Sequence, residues 1–400
     1  MTDHDTYDVF VSGGGVAGLA ATIAFAQAGY RTFCADPTPP VIARDAEGSD
    51  LRTTAFLQPA KAFLDRIGLW ERLAEHATPL QVMRIVDAGG PDVAEPRATH
   101  DFNAADISDA PFGWNLPNWL LRREMVAHLD GLPNATFRPG TGTAHVLTRD
   151  TEALVRLGDG TRLRARLVVA ADGRHSLVRE ALGIPVRTMR YGQKALAFAV
   201  THDRPHDNIS TEIHRSGGPF TLVPLPDHDG RPCSAVVWME RGPEAVRLAA
   251  LPETAFEAEM TARSAGLYGP LRLASRRTIW PIISQIADRM QGQRTALVAE
   301  AAHVVPPIGA QGLNMSLADI ATLLDVIDGG DPGDAIALGR YHRQRHPEVL
   351  ARVTGVDALN RASMAEAQGL RDLRLRALNA LYTAAPVRKT LMKAGLGARR

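Results

Sequence analysis

Gly13, Gly15 and Gly18 in the run V-S-G-G-G-V-A-G, followed by Asp36 at the end of the next apolar stretch, carry the most specific chemistry in the chain. Gly13 permits a tight strand-to-helix turn, Gly15 leaves room for a pyrophosphate to approach the backbone, and Gly18 lets the helix pack closely on its sheet. The N–H groups at the helix start, those of Val16 and Ala17, offer donors and a partial positive charge to phosphate oxygens. Asp36 stands where a carboxylate accepts hydrogen bonds from an adenosine ribose. This pattern predicts dinucleotide binding. By itself it does not separate FAD from NAD.

The elements that must position these residues follow from periodicity. A strand over Asp8 to Ser12, a helix over Val16 to Ala28 closed by Gly29, and a strand over Arg31 to Asp36 make one strand-turn-helix-strand unit. Two further units have the same shape. In the first, a buried strand from Leu167 to Ala171 meets Asp172-Gly173 and a short helix that Gly183 ends. In the second, within Thr295 to Asp328, an apolar strand reaches Ala299-Glu300, a Pro/Gly loop follows, and a helix begins between Gln311 and Asn314. Each carboxylate alone reads equally well as a cap or turn former. Together the three junctions match the way open α/β sheets gather ligands outside the carboxyl ends of their strands. Thr53 to Leu73 reads as helix with Pro59 near its start, Gln81 to Ala98 as strand and loop, and Trp119 to Leu132 as helix. Val186 to Arg276 reads as a set of strands separated by turns.

Composition bounds the rest. Four hundred residues call for two or more domains, and 45% hydrophobic with 22% charged residues is ordinary for a globular protein. A formal net charge of +1 gives no support to nucleic-acid binding. Cys34 and Cys233 lack metal-type spacing, so free thiols in a reducing, cytoplasmic setting are expected. Val9 to Tyr30 is uncharged and long enough for a membrane span, but its glycine triplet and the acidic leader Asp3, Asp5, Asp8 argue against a span or a signal peptide.

Asp172-Gly173 with Ser176 and Arg179 resembles the A-D-G-x-x-S-x-V-R motif, and Glu300 to Asn314 resembles the G-D-A-A-H-x-x-x-P-x-x-G-Q-G-x-N motif, of the single-component flavin aromatic hydroxylases related to para-hydroxybenzoate hydroxylase. Asp50-Leu51-Arg52, Asn118 to Met125 and Val223-Pro224-Leu225 resemble segments of the ubiquinone-biosynthesis hydroxylases within that family. The similarity runs from about Asp8 to Gly397. It implies an α/β chain with a Rossmann-like FAD-binding domain (1–75, 105–182 and 277–345), a β-sheet substrate domain (76–104 and 183–276) and a helical C-terminus (346–400).

Carried over residue by residue, the resemblance implies that Gly13, Gly15 and Gly18 hold the FAD pyrophosphate and Asp36 the ribose. Arg52 and Arg122 meet polar parts of the cofactor, Asp172 lies beside the pyrophosphate, and Glu300 meets the ribitol. Pro307, Gly309, Gly312, Leu313 and Asn314 line the flavin ring, with no side chain certain to be catalytic. The implied activity is hydroxylation of a small hydrophobic aromatic ring with O₂ and NAD(P)H through a flavin hydroperoxide. The favoured substrate is a polyprenylated phenol or quinol of ubiquinone biosynthesis, the alternatives being a soluble aromatic or polyketide-like compound, or flavin binding without turnover. Two departures stand out: Ala299-Glu300 replaces the family's Gly-Asp, and in Pro307 to Gly312 the glycine before Gln311 has moved by one place. The helix opening at Gly312 to Asn314 offers its N-terminus to negative charge on the reduced flavin. A single G-x-G-x-x-G argues against a second nicotinamide domain, so the reductant is expected to dock transiently near the Asp172 loop and Arg179.

Other residues have plainer readings. His303 is expected to stabilise a turn, Asp319 to cap or pair locally, Trp238 and Trp280 to pack in the middle domain, and His342 with His346 to lie on a solvated helix surface, the spacing lacking a third ligand. From Arg361 onward nine Lys or Arg face Glu366 and Asp372 alone. A basic helical tail of this kind contacts anionic lipid or an assembly partner, or else caps the core; the sequence leaves this open.

Overall fold

The computed structural model describes residues 5–90, 94–327 and 329–396; Asp3, Asp328, Gly397, Arg399 and Arg400, which enter the sequence reading, lie outside the described residues. A parallel sheet runs in the order Thr295–Leu297, Arg162–Ala170, Asp5–Ser12, Thr32–Asp36, Ala135–Pro139. Asp5–Ser12 is central, with the chain crossing to one side first and the other side later, and that reversal opens a crevice at the strand ends. Register brings those ends level: Ser12 pairs with Ala170 and with Ala35, and Ala170 pairs with Leu297. The strands are apolar and share one core with helices Val16–Gln27, Asn118–Leu129 and Gln311–Ile327, which pack side by side against them.

A second sheet of nine strands is antiparallel except where Val82–Asp87 runs parallel to Ile209–His214. Its central strands are Thr278–Ala287, Val186–Thr201, Arg231–Arg241 and Pro219–His228. Side chains alternate between its faces. Leu196, Phe198, Val200, Phe220 and Trp238 pack beneath helices Gly242–Ala250 and Glu253–Arg263, while Ala195, Val237, Met239, Trp280 and Ile282 point the other way.

Three sequence expectations change. Thr53–Leu57 is a strand paired with Gly113–Pro117, its β-branched pair suiting an extended edge; the helix starts at Gln58, with Pro59 in the first turn. The middle region contains the two helices 242–250 and 253–263, started by Pro243 and Pro252. The strand before Glu300 ends at Leu297, and Ala299–Ala301 forms a single 3₁₀ turn. The C-terminus is helical over Ala335–Ser363, Gln368–Thr383 and Ala385–Leu396.

Candidate functional site

The first junction is built by its glycines. Gly13 has φ 103°, and a Cβ there would lie 2.4 Å from the Ala171 carbonyl oxygen; a Cβ on Gly18 would lie 1.8 Å from the Gly13 oxygen. Gly15 is different: no heavy atom stands within 4 Å of where its Cβ would be, and the helix it opens has no side-chain cap. Space and uncapped donors therefore coincide at Gly15, Val16 and Ala17, which is what a phosphate needs. Gly14, which the sequence reading passed over, has its own constraint. A Cβ there would meet the Phe137 ring at 2.8 Å and Asp36 Cβ at 2.9 Å, while its N–H donates to Asp36 Oδ2 at 2.6 Å. Asp36 also accepts Thr38 N–H through Oδ1 at 2.8 Å, so this carboxylate braces the loop with lone pairs to spare.

At the second junction, Asp172 Oδ2 accepts the Val178 amide at 3.2 Å and Oδ1 has no hydrogen-bond partner among the described residues. Burial raises its carboxyl above the ordinary value, against the opposing pull of Ser176 and Val178. Arg179, expected near a docking reductant, is instead turned inward: 3% exposed, it donates to the Ala301 oxygen at 3.0 Å and the Arg174 oxygen at 3.1 Å and so ties this junction to the third. Arg174 takes the outer position and pairs with Glu300 at 3.4 Å.

The third junction keeps glycine-like geometry without glycine. Ala299 has φ 55° and Ala310 φ 56°, in the left-handed region that side chains rarely adopt, at the two places where the sequence departs from the family pattern. Both are held from outside the loop. The Ala299 amide donates to Asp319 Oδ2 at 3.2 Å, and Asn314 Nδ2 donates to the Ala310 oxygen. Asn314 also accepts the Leu57 amide at 2.9 Å and donates to the Ala55 oxygen at 2.8 Å, so its side chain is committed to the protein and only its main chain remains for a ligand. Gly312 is exposed with no heavy atom near its Cβ position, Pro307 is exposed, and Leu313 is half-buried beside the helix start.

Asp319 is no local cap. It is fully buried, receives His303 Nε2 at 2.6 Å and Arg345 Nε at 2.9 Å, and joins the loop to the helix Ala335–Ser363. Burial pushes its carboxyl up, but His303, Arg345 and the Ala299 amide outweigh that and hold it below the usual range. His342 and His346 also differ from expectation. They are half-buried against the strand end, where His342 Nδ1 lies 3.4 Å from the Met290 amide and His346 Nε2 3.2 Å from the Ala287 oxygen.

Arg52 and Arg122 meet around Asp50. Arg52 donates twice to Asp50, at 2.8 and 2.7 Å; Asn118 adds a bond at 3.0 Å and Arg122 lies 3.8 Å away. Burial alone would raise the Asp50 carboxyl, yet these partners bring it below the ordinary value. Arg52 leans over the Trp280 ring at 5.6 Å, and Glu300 adds to the field that keeps it charged. Trp238 is core, as its apolar setting predicts, but Trp280 is half-buried on the opposite face. There it joins Ala195, Val237, Met239 and Ile282 against Val305 and Ile308 of the Pro/Gly loop. The strand A-L-A-F-A-V carried the signal for this face, its alanines alternating with bulky residues that fill the other side.

A crevice at the switch point of a parallel sheet, with open space at uncapped amides and a buried carboxylate oxygen left unpaired, fits FAD. With an antiparallel sheet walling the flavin loop, the fold is that of FAD-dependent monooxygenases of the para-hydroxybenzoate hydroxylase type, enzymes that use NAD(P)H and O₂. The family model described as FAD binding domain matches residues 6–355, and the chain belongs to that family. It is 34% identical over 397 residues to the ubiquinone hydroxylase UbiL of Rhodospirillum rubrum, covering 98% of this chain and 89% of that one. It is 25% identical to the 3-demethoxyubiquinol 3-hydroxylase of Escherichia coli, covering 99% of this chain and 100% of the other. The crystal structure of p-nitrophenol 4-monooxygenase from Pseudomonas putida shares the fold, with a TM-score of 0.80, 21% identity and coverage of 99% and 100%. Among the described residues no helix is long and apolar enough to cross a membrane.

Proposed function

We propose that this enzyme hydroxylates the aromatic ring of a polyprenylated phenol or quinol in ubiquinone biosynthesis. The observation that carries the reading is the apolar face of Ala195, Val237, Met239, Trp280 and Ile282 opposite Ile308, a hydrophobic wall against the loop that would seat the flavin. The names of the relatives in Rhodospirillum rubrum and Escherichia coli point the same way.

In this reading residues 1–75, 105–182 and 277–345 hold the cofactor, and 76–104 with 183–276 wall the substrate. The turn of Gly13, Gly15 and Gly18, with the helix-start amides of Val16 and Ala17, holds the pyrophosphate, Asp36 the ribose, and Arg52, Arg122 and Asp172 the polar groups between. Glu300 takes the ribitol, and Pro307, Gly309, Gly312, Leu313 and Asn314 border the ring. When bound, FAD supplies oxygen activation after reduction by NAD(P)H. The protein orients the phenol, excludes water with the apolar wall and offers the amides at Gly312 to Asn314 to negative charge. The protein works in the cytoplasm, its basic C-terminus meeting a membrane or a biosynthetic assembly.

The test is turnover. FAD-loaded protein is expected to oxidise NAD(P)H faster with a prenylated phenol than without, and to transfer label from ¹⁸O₂ to the ring. Equal or better coupling with unprenylated phenols would move the assignment to a soluble substrate, and bound flavin with no coupled oxidation on any phenol would remove the hydroxylase reading.

A further inference from the structure

The helix Gln368–Thr383 lies on the protein with its polar side inward. Arg374 donates to Asp87 Oδ2 at 3.1 Å, and Arg97 bridges Asp87 and Asp372 at 2.6 Å each, with Asp87 only 1% exposed. Gln368 and Arg371 bond the carbonyls of Gly89 and Gly90, His100 meets Asn379 at 2.6 Å, and the Tyr382 ring packs tilted on His100 and edge-to-face on Phe102. The opposite face carries Leu370, Leu373 and Leu381, 56%, 60% and 43% exposed, with Ala377 and Ala380 between them. These positions recur at three and four residues and form one stripe. Val387 and Leu391, 45% and 50% exposed, extend the apolar surface on the helix Ala385–Leu396. An amphipathic helix meant for water turns its apolar stripe to the core; this one does the reverse.

Charge indicates what covers it. Arg376, Lys389 and Lys393 are exposed, and the one carboxylate of residues 367–396, Asp372, is engaged by Arg97. Leucines ringed by cations suit the boundary of an anionic bilayer, where apolar side chains sink below the headgroups and each cation meets phosphate. The hairpin also touches the site: Gln311, first residue of the helix behind the flavin loop, donates to the Gly395 oxygen at 3.3 Å.

We propose that residues 368–396 dock the enzyme on an anionic lipid surface through Leu370, Leu373, Leu381 and Leu391, with Arg376, Lys389 and Lys393 against the phosphates. The inference deepens the proposed function and rests on it for its purpose, delivery of a bilayer-dissolved substrate, but its test needs no substrate. FAD-loaded full-length protein is sedimented with vesicles of phosphatidylcholine alone or mixed equally with phosphatidylglycerol. Wild type is expected to pellet with the mixed vesicles. The variant Leu370→Gln, Leu373→Gln, Leu381→Gln and, separately, the variant Arg376→Gln, Lys389→Gln, Lys393→Gln are each expected to lose at least about tenfold in partitioning, with flavin content unchanged. Should the leucine variant fold poorly, the charge variant carries the comparison. The proposal is overturned if wild type stays in the supernatant, if both variants pellet like wild type, or if the stripe proves to be covered by a second copy, seen as a wild-type dimer that the leucine variant dissolves. Absent vesicle binding beside intact hydroxylation of a prenylated phenol in detergent removes the docking and spares the function; binding without turnover does the opposite.

Discussion

The Asp319 carboxylate accepts the amide of Ala299 at 3.2 Å and thereby holds an alanine at φ 55° in the turn that delivers Glu300 to the crevice. Left-handed backbone costs a side-chain-bearing residue about 1 to 2 kcal/mol, and the surrounding contacts sustain it. Ala299→Gly removes the cost at the expense of unfolded-state entropy. It is expected to stabilise the protein by about 0.5 to 1 kcal/mol in urea unfolding while FAD affinity stays within about twofold. A destabilised variant would show that the turn is not strained.

Asp319→Asn removes the buried carboxylate from Arg345, leaving it the half-exposed Glu348, and weakens the bond to His303. Losing one member of a buried ionic cluster costs about 3 kcal/mol or more. Because the Asp319 carboxyl sits below its ordinary value, its contribution is present above the unfolded value of about 3.9 and fades as pH falls through the folded one. The stability gap between wild type and variant is therefore expected to be full at neutral pH and to shrink below about pH 4, as followed by chemical denaturation.

Gly15 and Gly18 separate binding from folding. Gly15→Ala adds a methyl to open space and is expected to change apoprotein stability by less than about 1 kcal/mol. The same methyl occupies the phosphate cradle, so FAD affinity measured by fluorescence quenching is expected to fall at least about tenfold, the equivalent of about 1.4 kcal/mol. Gly18→Ala drives a Cβ into the Gly13 carbonyl and is expected to lower expression and melting temperature as well.

Removing the cofactor exposes the charge state of Asp172. Its carboxyl is raised by burial, so ionisation at neutral pH opposes folding, and the opposition vanishes as pH falls through the raised value. In FAD-free protein Asp172→Asn is expected to raise the melting temperature at pH 7, with the difference closing in acid. An unchanged or lower melting temperature at pH 7 would contradict this.

Burial lifts the Cys34 thiol to about 12 and the Cys233 thiol to about 11. Neither supplies thiolate near neutrality. Native protein is expected to leave Ellman's reagent unreacted over the minutes in which urea-unfolded protein consumes two equivalents.

The cradle was readable because its constraints are local. Gly13, Gly15 and Gly18 act through backbone shape within one turn, and the junctions at Ser12, Asp172 and Glu300 announce themselves by apolar runs stopped by turn residues, although the last strand stops at Leu297. Gly14 escaped because its constraint is the ring of Phe137, which no spacing rule connects to it. The inward turn of Arg179 is hidden from the sequence for a similar reason. Its motif says which residue is present, while the carbonyls of Ala301 and Arg174 decide that it faces inward. Apolar spacing over the five residues of Thr53–Leu57 fits either period, and pairing with Gly113–Pro117 makes the segment a strand.

By itself, then, the sequence determined the cofactor crevice and the class of chemistry, since backbone freedom, helix ends and strand ends are properties of a few consecutive residues. Only the tertiary structure decided the rest: Asp319 as a buried hub, Trp280 on the wall beside Arg52, and the leucines of Gln368–Thr383 facing outward. Each of these depends on which segments, tens to hundreds of residues apart, share an interface. Asp87 and Arg374 illustrate the reason: a carboxylate at the end of one strand recruits Arg374 of a distant helix, Arg97 beside it takes Asp372 of the same helix, and together they fix which face that helix shows to its surroundings.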